Sequence, residues 1–227
     1  MIPVRILLLL TVLLLPSPAM SQAWTLGLEG GVGFMTATRN LGQVLGTEVA
    51  ARIDNNLNNT LMYTGGVRLT TPYPRASVRL AVGFGNPTVK GTVAQCVVVT
   101  GPGCQSFEVD GTLITGSADI IFHQEGSVFQ PRLVYFVAGL GLRSYSFDDP
   151  ECEPSEVVCS VMSEFLGDQV KPVGRLGLGY REQFGNGYFF SAEVVDQIGP
   201  FDGQGAKSEG GVQNDFLIVA SIGWRGW

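Results

Sequence analysis

An eight-stranded antiparallel β-barrel that spans a membrane is the fold this sequence predicts, and three observations predict it. Eight separate stretches alternate between two kinds of side chain, the connections between them alternate between short and long, and the chain is 45% hydrophobic with 31 Gly but only 15% charged residues. Strand side chains point in turn to opposite faces, so period-two alternation gives each strand one apolar and one polar face. Lipid outside and a polar, closed interior accommodate both faces. A soluble domain of this size usually carries nearer ~25% charged residues.

The N-terminus comes first. Met1 to Arg5 is a basic start, Ile6 to Leu15 is apolar, and Pro16 to Ala23 holds small residues, which together read as a secretory signal. The apolar run is about half the ~20 residues that a spanning helix needs. Cleavage is expected after Ser21, or after Ala23, leaving residues 22–227 as one barrel domain. Removing Arg5 leaves 13 of the 14 basic residues against 20 acidic ones, a balance of −7. Such a surface repels nucleic acid.

The expected strands are Trp24 to Met35, Thr60 to Thr71, Arg75 to Gly85, Val109 to Phe122, Pro131 to Phe147, Lys171 to Phe184, Tyr188 to Phe201 and Gln213 to Trp227. In the first, Leu26, Leu28, Val32 and Phe34 interleave with Thr25, Gly27, Glu29, Gly31 and Gly33. In the third, Ala76, Val78, Leu80, Val82 and Phe84 interleave with Arg75, Ser77, Arg79, Ala81 and Gly83, so the charges share one face. In the last, Phe216, Ile218, Ala220, Ile222 and Trp224 oppose Val219, Ser221, Gly223 and Arg225. Aromatic residues gather at strand ends, as in the girdles that bound an apolar band. Short connections at 72–74, 123–130 and 185–187 and longer ones at 36–59, 86–108, 148–170 and 202–212 predict periplasmic turns and termini and four outer loops. In the first loop Leu41, Val44, Leu45, Val49 and Ile53 recur at near-helical spacing and predict a short amphipathic helix over the barrel mouth.

The signal, the eight strands, the four long loops, the aromatic C-terminus and the stretch Ala138-Gly139-Leu140-Gly141-Leu142 resemble the OmpA/OmpX-type small outer-membrane barrels. The likeness spans the whole mature chain. It implies insertion by the outer-membrane assembly machinery and contact with membrane lipid and lipopolysaccharide. Trp227 departs from the pattern, lying one residue out of phase with Phe216 to Trp224. Enzymes of similar size in this broad group use a His at the outer end of the barrel. The sole His here, His123, falls in an expected periplasmic turn and reads as solvated.

Residues that carry chemistry are few. The Gly-rich run 27–33 lacks the strand-to-helix context and the Lys-Ser/Thr of a phosphate loop. Period-two glycines give space in a narrow barrel instead. The distinctive polar set is inward: Glu29, Arg68, Arg75, Arg79, Asp119, Arg143, Arg175, Arg181, Glu193 and Arg225. An eight-stranded barrel leaves room only for side chains, so these groups are expected to pair with one another. An Arg-lined anion path is the alternative. Cys96 with Cys104 and Cys152 with Cys159 are expected to form local disulfides in an oxidising compartment, because neither spacing suits a zinc knuckle. Seven acids between Asp148 and Asp168 lack calcium-loop spacing and read as a solvated acidic loop. Asn58-Asn59-Thr60 matches a glycosylation pattern that a bacterial architecture makes irrelevant.

These residues point to a non-catalytic, monomeric barrel without cofactor or metal, presenting disulfide-braced acidic loops for structural support or surface contact, with no extracellular ligand legible. Two alternatives stand beside it. One is a binding or transport barrel that admits small or hydrophobic molecules through its lumen or wall. The other is a soluble lipocalin-like periplasmic binder, which would invert the faces and put the apolar residues inside.

Overall fold

The protein is described by a computed structural model over residues 25–37, 43–45, 52–70, 76–94, 105–123, 131–148, 169–185, 187–201 and 211–226. Eleven strands appear there: β1 (Thr25–Ala37), β2 (Gln43–Leu45), β3 (Arg52–Leu57), β4 (Thr60–Thr70), β5 (Ala76–Gly85), β6 (Thr88–Ala94), β7 (Gln105–His123), β8 (Arg132–Phe147), β9 (Gln169–Phe184), β10 (Tyr188–Phe201) and β11 (Gly211–Arg225). Eight of them close a barrel in which β1, β4, β5, β7, β8, β9, β10 and β11 pair antiparallel in turn and β11 pairs back with β1. Closure leaves no edge, which a wall in lipid requires. From Leu26 on β1 the register passes through Leu69, Val78, Ile120, Ala138, Leu176, Asp196 and Phe216 and returns to β1 at Thr36, ten residues along. That stagger tilts every strand and decides which inward residues share a level.

Burial follows the alternation. Leu80, Leu176 and Ile218 are 54%, 58% and 51% exposed on the outside, while Arg79, Arg143 and Asp119 are buried inside. A soluble barrel with an apolar interior needs the reverse, so the lipocalin-like reading is overturned. Outward aromatics form two bands. Phe122, Phe136, Phe184, Tyr188 and Trp224 lie at one end, and Phe34, Tyr63, Phe84 and Phe216 toward the other. The first end carries the tight β9–β10 connection, where Gly185 (φ 64°) and Gly187 (φ 88°) take left-handed conformations that glycine adopts without strain. It is called the turn end below, and the opposite one the loop end.

At the loop end the structure corrects one expectation. Val44, Leu45 and Ile53 lie not on a helix but in strands: β2 pairs β3, β3 pairs β6, and β6 pairs the first residues of β7. Leu41 and Val49 fall outside the described residues. The hydrophobic spacing was ambiguous over so short a run, and a neighbouring strand supplying ladder hydrogen bonds decided against the helix. Leu57, Val89 and Val109, paired in a row across β3, β6 and β7, are buried on one face of this extension, and Lys90 meets Glu108 at 3.1 Å on its exposed face. No helix is long and apolar enough to cross a membrane among the described residues, which says nothing against crossing by strands.

Candidate functional site

The inward charges are the candidate site, and the barrel register assembles them. Arg79 on β5 lies directly across from Asp119 on β7 and donates from Nε (3.1 Å) and Nη2 (2.8 Å) to Oδ2 of that carboxylate. Its Nη1 reaches Glu29 Oε1 on β1 at 3.1 Å and Glu193 Oε1 on β10 at 2.5 Å. One guanidinium thus ties together three carboxylates from three other strands. Arg68 sits opposite Arg79 in the register, a like-charge pairing that costs stability unless an anion bridges it. Glu29 does so, accepting from Arg68 Nη2 at 2.8 Å through its second oxygen. Arg175 Nε donates to the other oxygen of Asp119 at 3.0 Å. Tyr135 donates to Glu193 at 2.6 Å. Gly179 makes this bond possible, because a Cβ there would overlap the Tyr135 ring.

Nearer the loop end is a second, smaller cluster. Arg143 and Asp215 form an ion pair with both side chains fully buried. Gln213 Nε2 donates to Asp215 at 2.7 Å, and the Arg143 guanidinium lies 5.3 Å from the Tyr145 ring centroid. Asp215 is absent from the inward set read from the sequence. The signal was present, since Asp215 shares the parity of Val219, Ser221 and Gly223 on β11.

Toward the turn end, Arg68 and Arg181 lie 5.6 and 5.5 Å from the Phe189 ring centroid. His123 corrects a further expectation. It is not solvated but 4% exposed, edge-on to Tyr135 at 6.2 Å between centroids. β7 extends one residue past Phe122, and alternation turns that last side chain inward. Arg225 is half-buried at the same end. Arg75, the four cysteines Cys96, Cys104, Cys152 and Cys159, residues 149–168 and the N-terminal segment lie outside the described residues.

A cavity of about 30 Å³ beside the central cluster is bordered by Glu29, Arg79, Arg175 and Glu193. That is room for a water or two. Among the described residues no group of three or more His, Cys, Asp or Glu could hold a metal ion.

No protein-family model matches the sequence, and none of the curated proteins compared with it does. Solved structures do match. The outer membrane protein OprG from Pseudomonas aeruginosa aligns over 90% of this chain and 96% of its own at 13% identity, with a TM-score of 0.57. The chain has the fold of the small outer-membrane β-barrels. The attachment invasion locus protein Ail of Yersinia pestis (11% identity, 90% and 99% covered, TM-score 0.46) and the N-terminal barrel of OprF from Pseudomonas aeruginosa (14%, 88% and 97%, 0.42) also align. In an outer-membrane barrel the exposed apolar wall faces hydrocarbon. The ion network then lies inside a protein cylinder with lipid around it, where a charge without a partner is costly.

Proposed function

We propose that this barrel is a non-catalytic, non-conducting anchor that holds its loop end outside the cell, for structural support or for contact with other surfaces. The observation that carries the reading is Arg79, bonded at once to Glu29, Asp119 and Glu193 across the middle of the lumen. Mutually bonded charges that cross the lumen support a filled rather than an open barrel. In this reading the turn end and both chain termini are periplasmic, the barrel is a monomer in contact with lipid and lipopolysaccharide, and the Cys96–Cys104 and Cys152–Cys159 pairs brace the outer loops. Purified protein in planar bilayers should show no large, stable conductance. A steady open channel, or hydrolysis of lipid A or peptides, would sink the proposal. Peptide mass mapping that joined Cys96 to Cys152 or Cys159 would remove the local bracing.

A second reading, passage of a hydrophobic solute through the wall, draws on one feature. The β9–β10 ladder stops at Gly174 and Ile198, although β9 continues to Gln169 against β8 and β10 continues to Phe201 against β11. Extending the register sets Pro172 opposite Pro200, and neither residue has an N–H to give to a ladder. A Cβ at Gly199 would touch Val173, so a disulfide between Val173→Cys and Gly199→Cys can close this seam. Solute uptake that falls when the disulfide forms would favour passage through the wall, and unchanged uptake would leave the anchor.

A further inference from the structure

The turn end of the lumen holds a titratable side chain with nothing to bond. His123 is the last residue of β7, it is buried, and neither of its ring nitrogens has a hydrogen-bond partner among the described residues. An imidazole carries at least one N–H, so burial without an acceptor already costs stability. Tyr135, its register partner on β8, meets the ring edge-on at 6.2 Å but gives its hydroxyl proton to Glu193. The inward residue of β5 described at this end is Ser77, an uncharged hydroxyl. The charges that act on the ring are those of Arg181 on β9 and Arg68 on β4, both positive. Their guanidiniums lie 5.5 and 5.6 Å from the same Phe189 ring of β10, and Arg225 on β11 is half-buried at this end. Glu29 on β1 is already engaged by Arg68 and Arg79. Phe122, one residue before His123, belongs to the turn-end aromatic band, so the imidazole lies past the apolar wall.

We propose that His123 is an acid-sensitive latch on the turn end of the barrel. Neutral, the ring packs against Tyr135 and closes that end. Protonated, it becomes a further cation beside Arg68 and Arg181, with two N–H groups and no acceptor, and it swings out past the end of β7 into water. As the last residue of its strand it leaves without parting the ladder behind it. The unfolded chain takes this proton below about pH 6.5, while burial and the two positive charges oppose it in the folded barrel. The latch therefore contributes stability that is full above that pH and is lost as the pH falls. The carboxylates of the central network titrate only nearer pH ~4, so mild acid loosens the turn end and leaves the Arg79 bonds across the lumen in place.

The test uses the full mature chain refolded in detergent micelles. His123 is the only histidine in the sequence, so a single imidazole can be followed by NMR without assignment while thermal unfolding is measured from about pH 7.5 down to about pH 5. As the ring protonates, its signals should move to those of the ring in the urea-unfolded chain at the same pH. The unfolding midpoint should fall with it, by about 3 to 5 °C for each tenfold change in the folding constant. His123→Phe, which fills the same place without a titrating group, should fold and keep a flat midpoint over that range. His123→Lys, charged throughout, should give a midpoint that is low and equally flat. Equal pH slopes in the wild type and His123→Phe, or a protonated ring whose signals stay apart from those of the unfolded chain, would each overturn the proposal. If His123→Lys fails to fold, His123→Phe and the imidazole signals decide alone.

Discussion

The two charged clusters in the lumen are built on opposite plans. In the central one, Arg68, Arg79 and Arg175 share Glu29, Asp119 and Glu193, and nearly every group has a second partner. Arg68, for example, lies 2.8 Å from Glu29 and 3.8 Å from Glu193. In the loop-end one, Arg143 meets one carboxylate among the described residues, Asp215, with Gln213 and Tyr145 beside it. The difference teaches that burial alone does not set what a charge contributes. A shared network can redistribute when one member is lost, whereas an isolated buried pair leaves its survivor stranded in a low-dielectric interior.

The sharpest way to break this comparison is Asp215→Ala. It strands a fully buried guanidinium and should destabilise the barrel by about 3 to 5 kcal/mol in a reversible bilayer-folding assay. A loss below that of any central acid would mean that the loop-end cluster is hydrated. Next in size is Leu80→Arg on the lipid face, which sets the scale for an uncompensated charge on the other side of the same wall. Near the middle of the membrane it should cost roughly 2 to 4 kcal/mol, and a loss near zero would place Leu80 outside the hydrocarbon.

Glu29→Ala should have a smaller effect, about 1 to 3 kcal/mol, because Glu193 stays within reach of both Arg68 and Arg79. A double-mutant cycle between Glu29 and Glu193 sharpens the point. Losing both should cost more than the sum of the single losses, and simple additivity would show that the two acids do not back each other up. Smallest of all is Glu108→Ala, which removes the exposed Lys90–Glu108 pair of the loop-end extension and should shift stability by less than ~1 kcal/mol, falling further with added salt. An effect as large as that of Glu29→Ala would show that the extension and the barrel unfold as one unit with this pair at their joint.

The sequence by itself determined the strands and their faces. A period of two is a local property, so Leu80 against Arg79, or Ile218 against Val219, states which side chain meets lipid without any knowledge of the partner strand. The inward parity of Asp215 was legible within the expected last strand, and that of His123 needed only one more residue at the end of β7. The tertiary structure alone decided who meets whom inside. Arg79 bonds Glu193 across 114 positions because a ten-residue stagger, accumulated around eight strands, brings those two levels together. No short-range pattern encodes that sum. The same holds for the loop-end extension, where Val44, Leu45 and Ile53 have spacings that suit a helix, and hydrogen bonding along β2, β3 and β6 overrode it. Periodicity assigns a face locally, whereas register is a property of the closed barrel, and it was register that turned a row of inward charges into one shared network and one smaller cluster built on a single ion pair.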